Sequence, residues 1–411
     1  MRVTSLLRSL LGLKHTHVLG GRFGPDSLEI AVAPATRVPR CSGCGCKAHR
    51  IYDRRRREWR HLDFGGMQVS LWYELRRVNC RRCGVVSEMV PWADPSARFT
   101  HDFEEHTAYL AQRADQTTVA RTMRVAWRTV GAIIERVVQR HRNGSQLDGL
   151  EHIGLDELSY RKHHQYVTTV VDHVSERVVW AAEGKNAATV GRFFDELGLE
   201  RTAGLRTVTL DMSAAYVQAV ESRAPHAQLV FDRFHVQRLA QDALDELRRA
   251  EVRSLEEDGE RHALKHTRWA LLKNPWNLSS VEAERLACLQ RTNRRLYRGY
   301  LLKTVLADIL GRRQVGVVRN KLREWISWAN RSRLAPFKRV AATIRRYFEG
   351  IVAIVATGLN NGRTEGLNGK IRTITRRAYG FHSASALISF IFLCCSGIVL
   401  HPIFKSPPLH P

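Results

Sequence analysis

Carboxylates that close short apolar runs are the residues of this chain best placed to do chemistry. Ile153-Gly154-Leu155-Asp156-Glu157 is a strand signal ending in an acidic pair; Val208-Thr209-Leu210-Asp211 and Leu229-Val230-Phe231-Asp232 each close on an aspartate. A fourth acid, Glu365, opens a helical stretch near the C-terminus. A carboxylate at a buried strand end costs free energy unless a cation or a donor meets it. Asp156, Asp211 and Glu365 are therefore expected to converge on divalent metal, Mg²⁺ or Mn²⁺, since these ions take oxygen ligands and a substrate phosphate can complete the shell. Glu157 should point to the other face of the strand and stays outside the triad. Asp232 and His235 have two readings: a helix cap beside a packed histidine, or an ancillary ligand or phosphate contact.

Thiolates supply the second chemistry. Cys41-Ser42-Gly43-Cys44 and Cys80-Arg81-Arg82-Cys83 are paired knuckles, each followed by a glycine that frees the backbone to turn. Two such knuckles complete a tetrahedral Zn²⁺ site, so Cys41, Cys44, Cys80 and Cys83 are the expected ligands, with Cys46 and His49 as spare donors. Alternating Met67, Val69, Leu71, Tyr73 and Leu75 would fill the span between the knuckles with strand.

The elements around these residues must bring a polyanion to them. Lys and Arg total 65 against 40 Asp and Glu, a formal net charge of +25. Double-stranded DNA is the expected partner, because no apolar run reaches the roughly 18 residues of a membrane span. The longest run, Ile388 to Leu400, reads as a buried C-terminal helix. No signal-peptide cleavage pattern follows Met1 to Leu13, so a reducing bacterial cytoplasm and nucleoid association are expected, where eight cysteines make sense if some bind metal.

Arg54, Arg55, Arg56 and Arg57 form a run suited to phosphate contact. Residues 115–140 read as a helix-turn-helix: Thr117 to Met123, a turn at Arg124 to Ala126, then Trp127 to Val138. Val130, Ile133, Ile134 and Val137 would be buried, and Arg128 and Arg136 would face a major groove. From 150 onward the order strand, strand, strand, helix, strand, helix, strand is that of an RNase H-like domain. Residues 237–350 lose strand patterning and read as an all-helical insertion, in which Trp269, Trp276, Trp325 and Trp328 are expected mainly as core. Leu367, Ile371 and Ile374 share one stripe of the last acidic helix, with Glu365, Asn368 and Arg372 along another.

The fold class expected is multidomain α/β: a zinc-ribbon region (1–95), a helix-turn-helix and linker (96–149), the first part of the catalytic core (150–236), the insertion (237–350), the C-terminal part of the core (351–400) and a tail (401–411).

With these residues in view, the chain resembles the ISL-three group of insertion-sequence transposases, a bacterial DDE family. The resemblance rests on the knuckles, the helix-turn-helix, Gly154 to Glu157, Leu210-Asp211-Met212, Phe231 to Val236, Trp328 to Leu334 and Asn361 to Lys370. It implies an interrupted RNase H-like domain, two magnesium ions held by Asp156, Asp211 and Glu365, and cut-and-join chemistry on DNA. DNA contacts from Lys370 and Arg372 and a homo-oligomer assembled on DNA are expected alongside. The competing reading is a non-catalytic DNA-binding regulator on a decayed RNase H-like fold.

Overall fold

The computed structural model describes residues 3–142, 144–161, 165–257, 264, 267–359 and 362–401, with backbone alone for 256, 257 and 362–365. It divides into two compact units, Met1–Asn143 with Ile398–Pro411, and Gly144–Gly397.

The first unit begins with α1 (Val3–Leu11), which buries Leu7 and Leu11. A five-stranded sheet follows: β1 (Thr16–Phe23), β2 (Ser27–Pro34), β3 (Ile51–Arg60), β4 (Gln68–Cys80) and β5 (Gly84–Ser87), in the order β1-β2-β4-β3 with β5 also on β4. In β4 the alternation Val69, Leu71, Leu75 puts branched side chains on one face, where they meet Leu28, Ile30, Trp59 and Trp92. The arginine run lies on β3, a strand the sequence analysis placed only in part. β3 pairs antiparallel with β4, Arg57 opposite Tyr73.

Three helices complete this unit: α2 (His101–Ala111), α3 (Gln116–Thr122) and α4 (Trp127–His141). Thr100 caps α2 and Asp115 caps α3, each accepting from the third residue onward. The α3–α4 turn passes through Arg124 at φ 52. Val130, Ile133, Ile134 and Val137 of α4 are buried, as the 3.6-residue period requires.

The second unit is built on β6 (His152–Arg161), β7 (Gln165–Asp172) and β8 (Arg177–Glu183), then α5 (Ala187–Leu197), α6 (Leu199–Ala203), β9 (Thr207–Leu210), α7 (Ala214–Arg223) and β10 (Gln228–Phe231). The sheet order is β10-β9-β6-β7-β8. β6, β7 and β8 pair antiparallel, whereas β9 runs parallel to both β6 and β10. The central strands carry Val and Thr on both sides and are buried on both, which is why β7 reads as a continuous β-branched run.

Helices α8 (Arg233–Glu257), α9 (Thr267–Leu272), α10 (Ser280–Thr292), α11 (Arg294–Gly311), α12 (Val315–Arg331), α13 (Ala335–Arg346) and α14 (Phe348–Thr357) follow, then α15 (Gly362–Arg377) and α16 (Ala384–Cys395). α14 packs on β10, α15 on β6 and α16 on β8. Inside the helical stretch, the buried Lys303 donates through Nζ to the carbonyls of Leu271, Leu272 and Lys273 at 3.0, 3.2 and 2.7 Å, terminating α9; burial pulls its pKa down to about 8.

Two expectations need correction. Trp325 is buried and Trp328 packs against the core, but Trp269 and Trp276 are 62% and 67% exposed. They lie on short segments at Thr267–Leu272 and Pro275–Asn277, where no second layer among the described residues covers an indole. The C-terminal helix starts at Ala384, capped by Ser383, and ends at Cys395 rather than Leu400. A hydropathy run cannot see the cap that sets the register.

Candidate active site

Strand register brings the acids together. β6 and β9 run parallel with Gly154 opposite Thr209, so Asp156 and Asp211, each two residues further on, come level on the same face. β9 and β10 pair with Leu210 opposite Phe231, so Asp232 takes the next place in the row. β6 itself runs on to Arg161, so Asp156 lies inside its strand rather than closing it; the row stands where the parallel ladder of β6 and β9 stops, beside the carboxyl ends of β9 and β10, a place where ligand sites form in open sheets.

Each acid has a distinct environment. Asp156 is half-buried; its Oδ1 accepts from the Glu157 amide at 2.7 Å and its Oδ2 accepts from Asn368 Nδ2 on α15. Burial pushes its pKa above the usual carboxylate value and the charge of Asp211 adds to that, while the Glu157 amide, His235 and Asn368 oppose it. Asp211 accepts from the Ser213 amide at 3.0 Å and is half-buried. Asp232 is 3% exposed; its Oδ1 accepts from the Phe234 amide at 3.0 Å, the helix-cap arrangement at the start of α8. Its Oδ2 meets His235 Nδ1 at 2.8 Å. That hydrogen bond raises the pKa of His235, and the charges of Asp232, Asp211 and Asp156 raise it further, so this imidazole senses the acidic row. Both readings of the pair thus have physical content: Asp232 caps α8, and His235 faces the site.

Glu157 alternates away from Asp156, opposite Thr168, whose hydroxyl meets the Tyr216 hydroxyl at 2.6 Å. Burial raises its pKa first, with contributions from Asp211 and Asp156. The side chain of Glu365 lies outside the described residues; its backbone belongs to α15. Asn368, one turn further along the same face, touches Asp156. The oxygen donors of Asp156 and Asp211, together with a buried Asn368 Oδ1 that has no partner among the described residues, fit a hard divalent cation.

The thiolate site is made by two turns. The Sγ atoms of Cys41, Cys44, Cys80 and Cys83 all lie within 4.8 Å of one another, with Cys44 and Cys80 3.6 Å apart. Backbone amides of Arg82 and Cys83 directed at the Cys80 sulfur lower its pKa to about 6, which favours the thiolate a metal needs. Gly45 and Gly84 sit at φ 71 and 70, in the left-handed region. Cys46 and His49 are exposed and outside the cluster. This donor set fits zinc.

The candidate DNA contacts divide by environment. Arg54 is exposed and without an ion pair among the described residues; Arg55 and Arg56 are exposed but lean on Asp53 and on Glu58 and Glu29. Arg57 donates to the carbonyls of Pro95 and Ala97. Arg128 is exposed at the start of α4. Arg136, expected to face a groove, is instead tied to Glu104, a fully buried acid of α2 that Arg140 also pairs with. α4 must neutralise that acid, and the positions facing α2 are spent on doing so. The only sequence signal was an acid on the buried stripe Phe103, Thr107, Ala108 and Ala111. Arg372 is exposed, and Lys370 donates to the Cys394 carbonyl at 2.5 Å. Among the described residues no helix is long and apolar enough to cross a membrane.

Comparison with known proteins gives the same order of modules. Residues 37–83 match the zinc-finger of transposase IS204/IS1001/IS1096/IS1165, residues 88–138 the helix-turn-helix domain of transposase family ISL3, and residues 153–391 the ISL3 transposase domain. The transposase for insertion sequence element IS1557 of Mycobacterium tuberculosis, in strains CDC 1551 and H37Rv, is 39% identical over 431 aligned positions, covering 97% of this chain and 96% of its own. The transposase for insertion sequence element IS1001 of Bordetella parapertussis is 28% identical over 358 positions, covering 86% and 88%. A zinc-binding module, a DNA-binding helix-turn-helix and an α/β transposase domain in that order leave one assignment: the chain belongs to the ISL3 family of insertion-sequence transposases.

Proposed function

We propose that this transposase binds the ends of an insertion sequence, cleaves them to free 3′-hydroxyls and joins them to target DNA, using Asp156, Asp211 and Glu365 on an RNase H-like core. The strand order β10-β9-β6-β7-β8, an antiparallel meander extended at its β6 edge by two parallel strands, supports that core. The observation that supports the reading is the hydrogen bond from Asn368 to Asp156, which holds against β6 the helix whose backbone includes Glu365 three residues earlier.

Asp156, Asp211 and Glu365 would hold divalent magnesium or manganese. Two such ions, when bound, activate the attacking oxygen and stabilise the leaving oxygen of an in-line displacement at phosphorus. The chain's own part is to present oxygen donors, keep Asp156 fixed through the Glu157 amide and Asn368, and leave the strand ends open to a phosphodiester. His235, held by Asp232, would offer a donor to that phosphate. The Cys₄ ribbon and helix-turn-helix would recognise the transposon ends, with Arg54 to Arg57 and Arg128 on phosphates and Lys370 and Arg372 near the reacting strand. A homo-oligomer on DNA in the bacterial cytoplasm completes this reading.

A cleavage and joining assay in Mg²⁺, on DNA carrying the inverted repeats that flank the gene, tests the proposal. Wild type should give 3′-hydroxyl ends and joined product, while Asp156→Asn, Asp211→Asn and Glu365→Gln bind the same DNA and give neither. A wild-type protein that binds those ends and never cuts them, across metals and targets, would make the chain a regulator.

A further inference from the structure

α15 approaches β6 through a residue whose chemistry is only half used. Asn368 is 3% exposed; its Nδ2 donates to Asp156 Oδ2, yet its Oδ1 is buried with no hydrogen-bond partner among the described residues. A buried amide oxygen left unpaired costs free energy, and such groups need a reason. The stripe beside it, with Ile371 and Ile374 buried, shows that an apolar side chain is accommodated on this helix. What an apolar residue could not do is place an oxygen beside Asp156, because the two ends of one planar carboxamide cannot be far from the same carboxylate.

A neutral oxygen also suits the electrostatics. Asp156 and Asp211 already bring two carboxylates to a half-buried place, so a further carboxylate at 368 would add a third negative charge. An amide carbonyl adds a hard donor without charge. Resting on the reading of Asp156 and Asp211 as metal ligands, we propose that Asn368 is a further residue of the metal centre: Oδ1 supplies a neutral oxygen donor to the divalent ion while Nδ2 holds Asp156.

The test is Mn²⁺ binding to the full-length zinc-loaded protein without DNA, read from the electron paramagnetic resonance signal of free Mn²⁺, with thermal stability followed in parallel. Asn368→Leu, which removes both ends of the amide, should weaken Mn²⁺ binding by about 10- to 100-fold. Asn368→Asp, which restores an oxygen donor without the N–H, should bind at least as tightly as wild type. Wild-type affinity in Asn368→Leu, even with lowered stability, overturns the proposal by making Asn368 a packing residue. Weakened binding in Asn368→Asp overturns the ligand role of Oδ1, leaving the amide only its hold on Asp156, and this arm stands if the leucine variant fails to fold. Asp156→Asn separates the two levels: if it too binds Mn²⁺ like wild type, the metal-centre reading fails, whereas loss there with wild-type affinity in Asn368→Leu sinks only the role of Asn368.

Discussion

The thiolate cluster and the acidic row are both built to gather negative charge, but the chain assembles them in opposite ways. Cys41, Cys44, Cys80 and Cys83 come from two turns within one small sheet, and their sulfurs crowd together. Asp156, Asp211 and Asn368 come from β6, the end of β9 and α15, the hydrogen-bonded pair Asp156 and Asn368 standing 212 positions apart. The ribbon's ligands sit at two turns of a sheet whose apolar cluster lies on β2, β3 and β4, and a bound ion would add cohesion at those turns. The acids stand on a sheet whose interior is filled by Val170, Val208, Leu210 and Val230, so the fold holds them apart from any ion. A closed thiolate site would thus make structure, whereas the acidic row stands on structure already made.

Removing one cysteine from the cluster and one acid from the row should expose that difference most strongly. Cys80→Ser should lose bound zinc and unfold the ribbon, since structural zinc contributes on the order of 10 kcal/mol; metal analysis and circular dichroism would read both. Asp211→Asn should leave the melting temperature in metal-free buffer unchanged or slightly raised, because it relieves repulsion with Asp156. A large fall in that temperature would show that the acidic row also holds the fold.

Within the first unit, Glu104 offers a smaller break. Glu104→Gln leaves Arg136 and Arg140 without their buried carboxylate and should cost about 3–5 kcal/mol, seen as an early denaturant midpoint. An equal loss from Arg128→Ala, which touches no such acid, would contradict the division between structural and exposed arginines.

Acidity should act on the two regions with opposite sign. Burial lowers the pKa of His61 to about 4, so the unfolded chain takes up a proton first as pH falls from 6.5, and up to about 3 kcal/mol of stability is lost by pH 4. Asp94, held to about 2 chiefly by His101 and also by Arg140, adds a loss at lower pH, as its contribution is present above about 3.8 and disappears toward 2. His235 is raised instead, so its contribution is complete below 6.5 and is lost as pH rises through its folded value. Hydrogen exchange, corrected for intrinsic rates, should therefore show α2 opening on the acid side and the start of α8 loosening on the basic side. His61→Gln should remove most of the first effect and none of the second.

The smallest effect is expected at the surface. Arg54→Ala should leave stability within about 0.5 kcal/mol and reduce the salt dependence of DNA binding by about one unit of slope. An unchanged slope would remove Arg54 from the phosphate contacts.

How much was legible depended on how local each feature is. The knuckles, the buried stripe of α4 and the β-branched strands could be read because their periods repeat within a few residues. The pairing of Arg136 with Glu104 could not, because the partner lies 32 residues away on another helix and α4 alone shows only an arginine on a polar face. The exposure of Trp269 and Trp276 escaped for a related reason: an indole's burial depends on which layer covers it. Asn368 appeared as one member of a polar stripe, with nothing in its neighbourhood to single it out.

The sequence by itself determined donor types and spacing: paired thiols two residues apart, acids closing apolar runs, and a cationic excess suited to DNA. These follow from local backbone geometry and from charge, which need no partner to be defined. Only the tertiary structure decided which acids stand level and which arginines are consumed inside the fold. It also decided that the amide of Asn368 meets Asp156. Those outcomes rest on strand register and helix docking, where a shift of one residue turns every side chain to the other face.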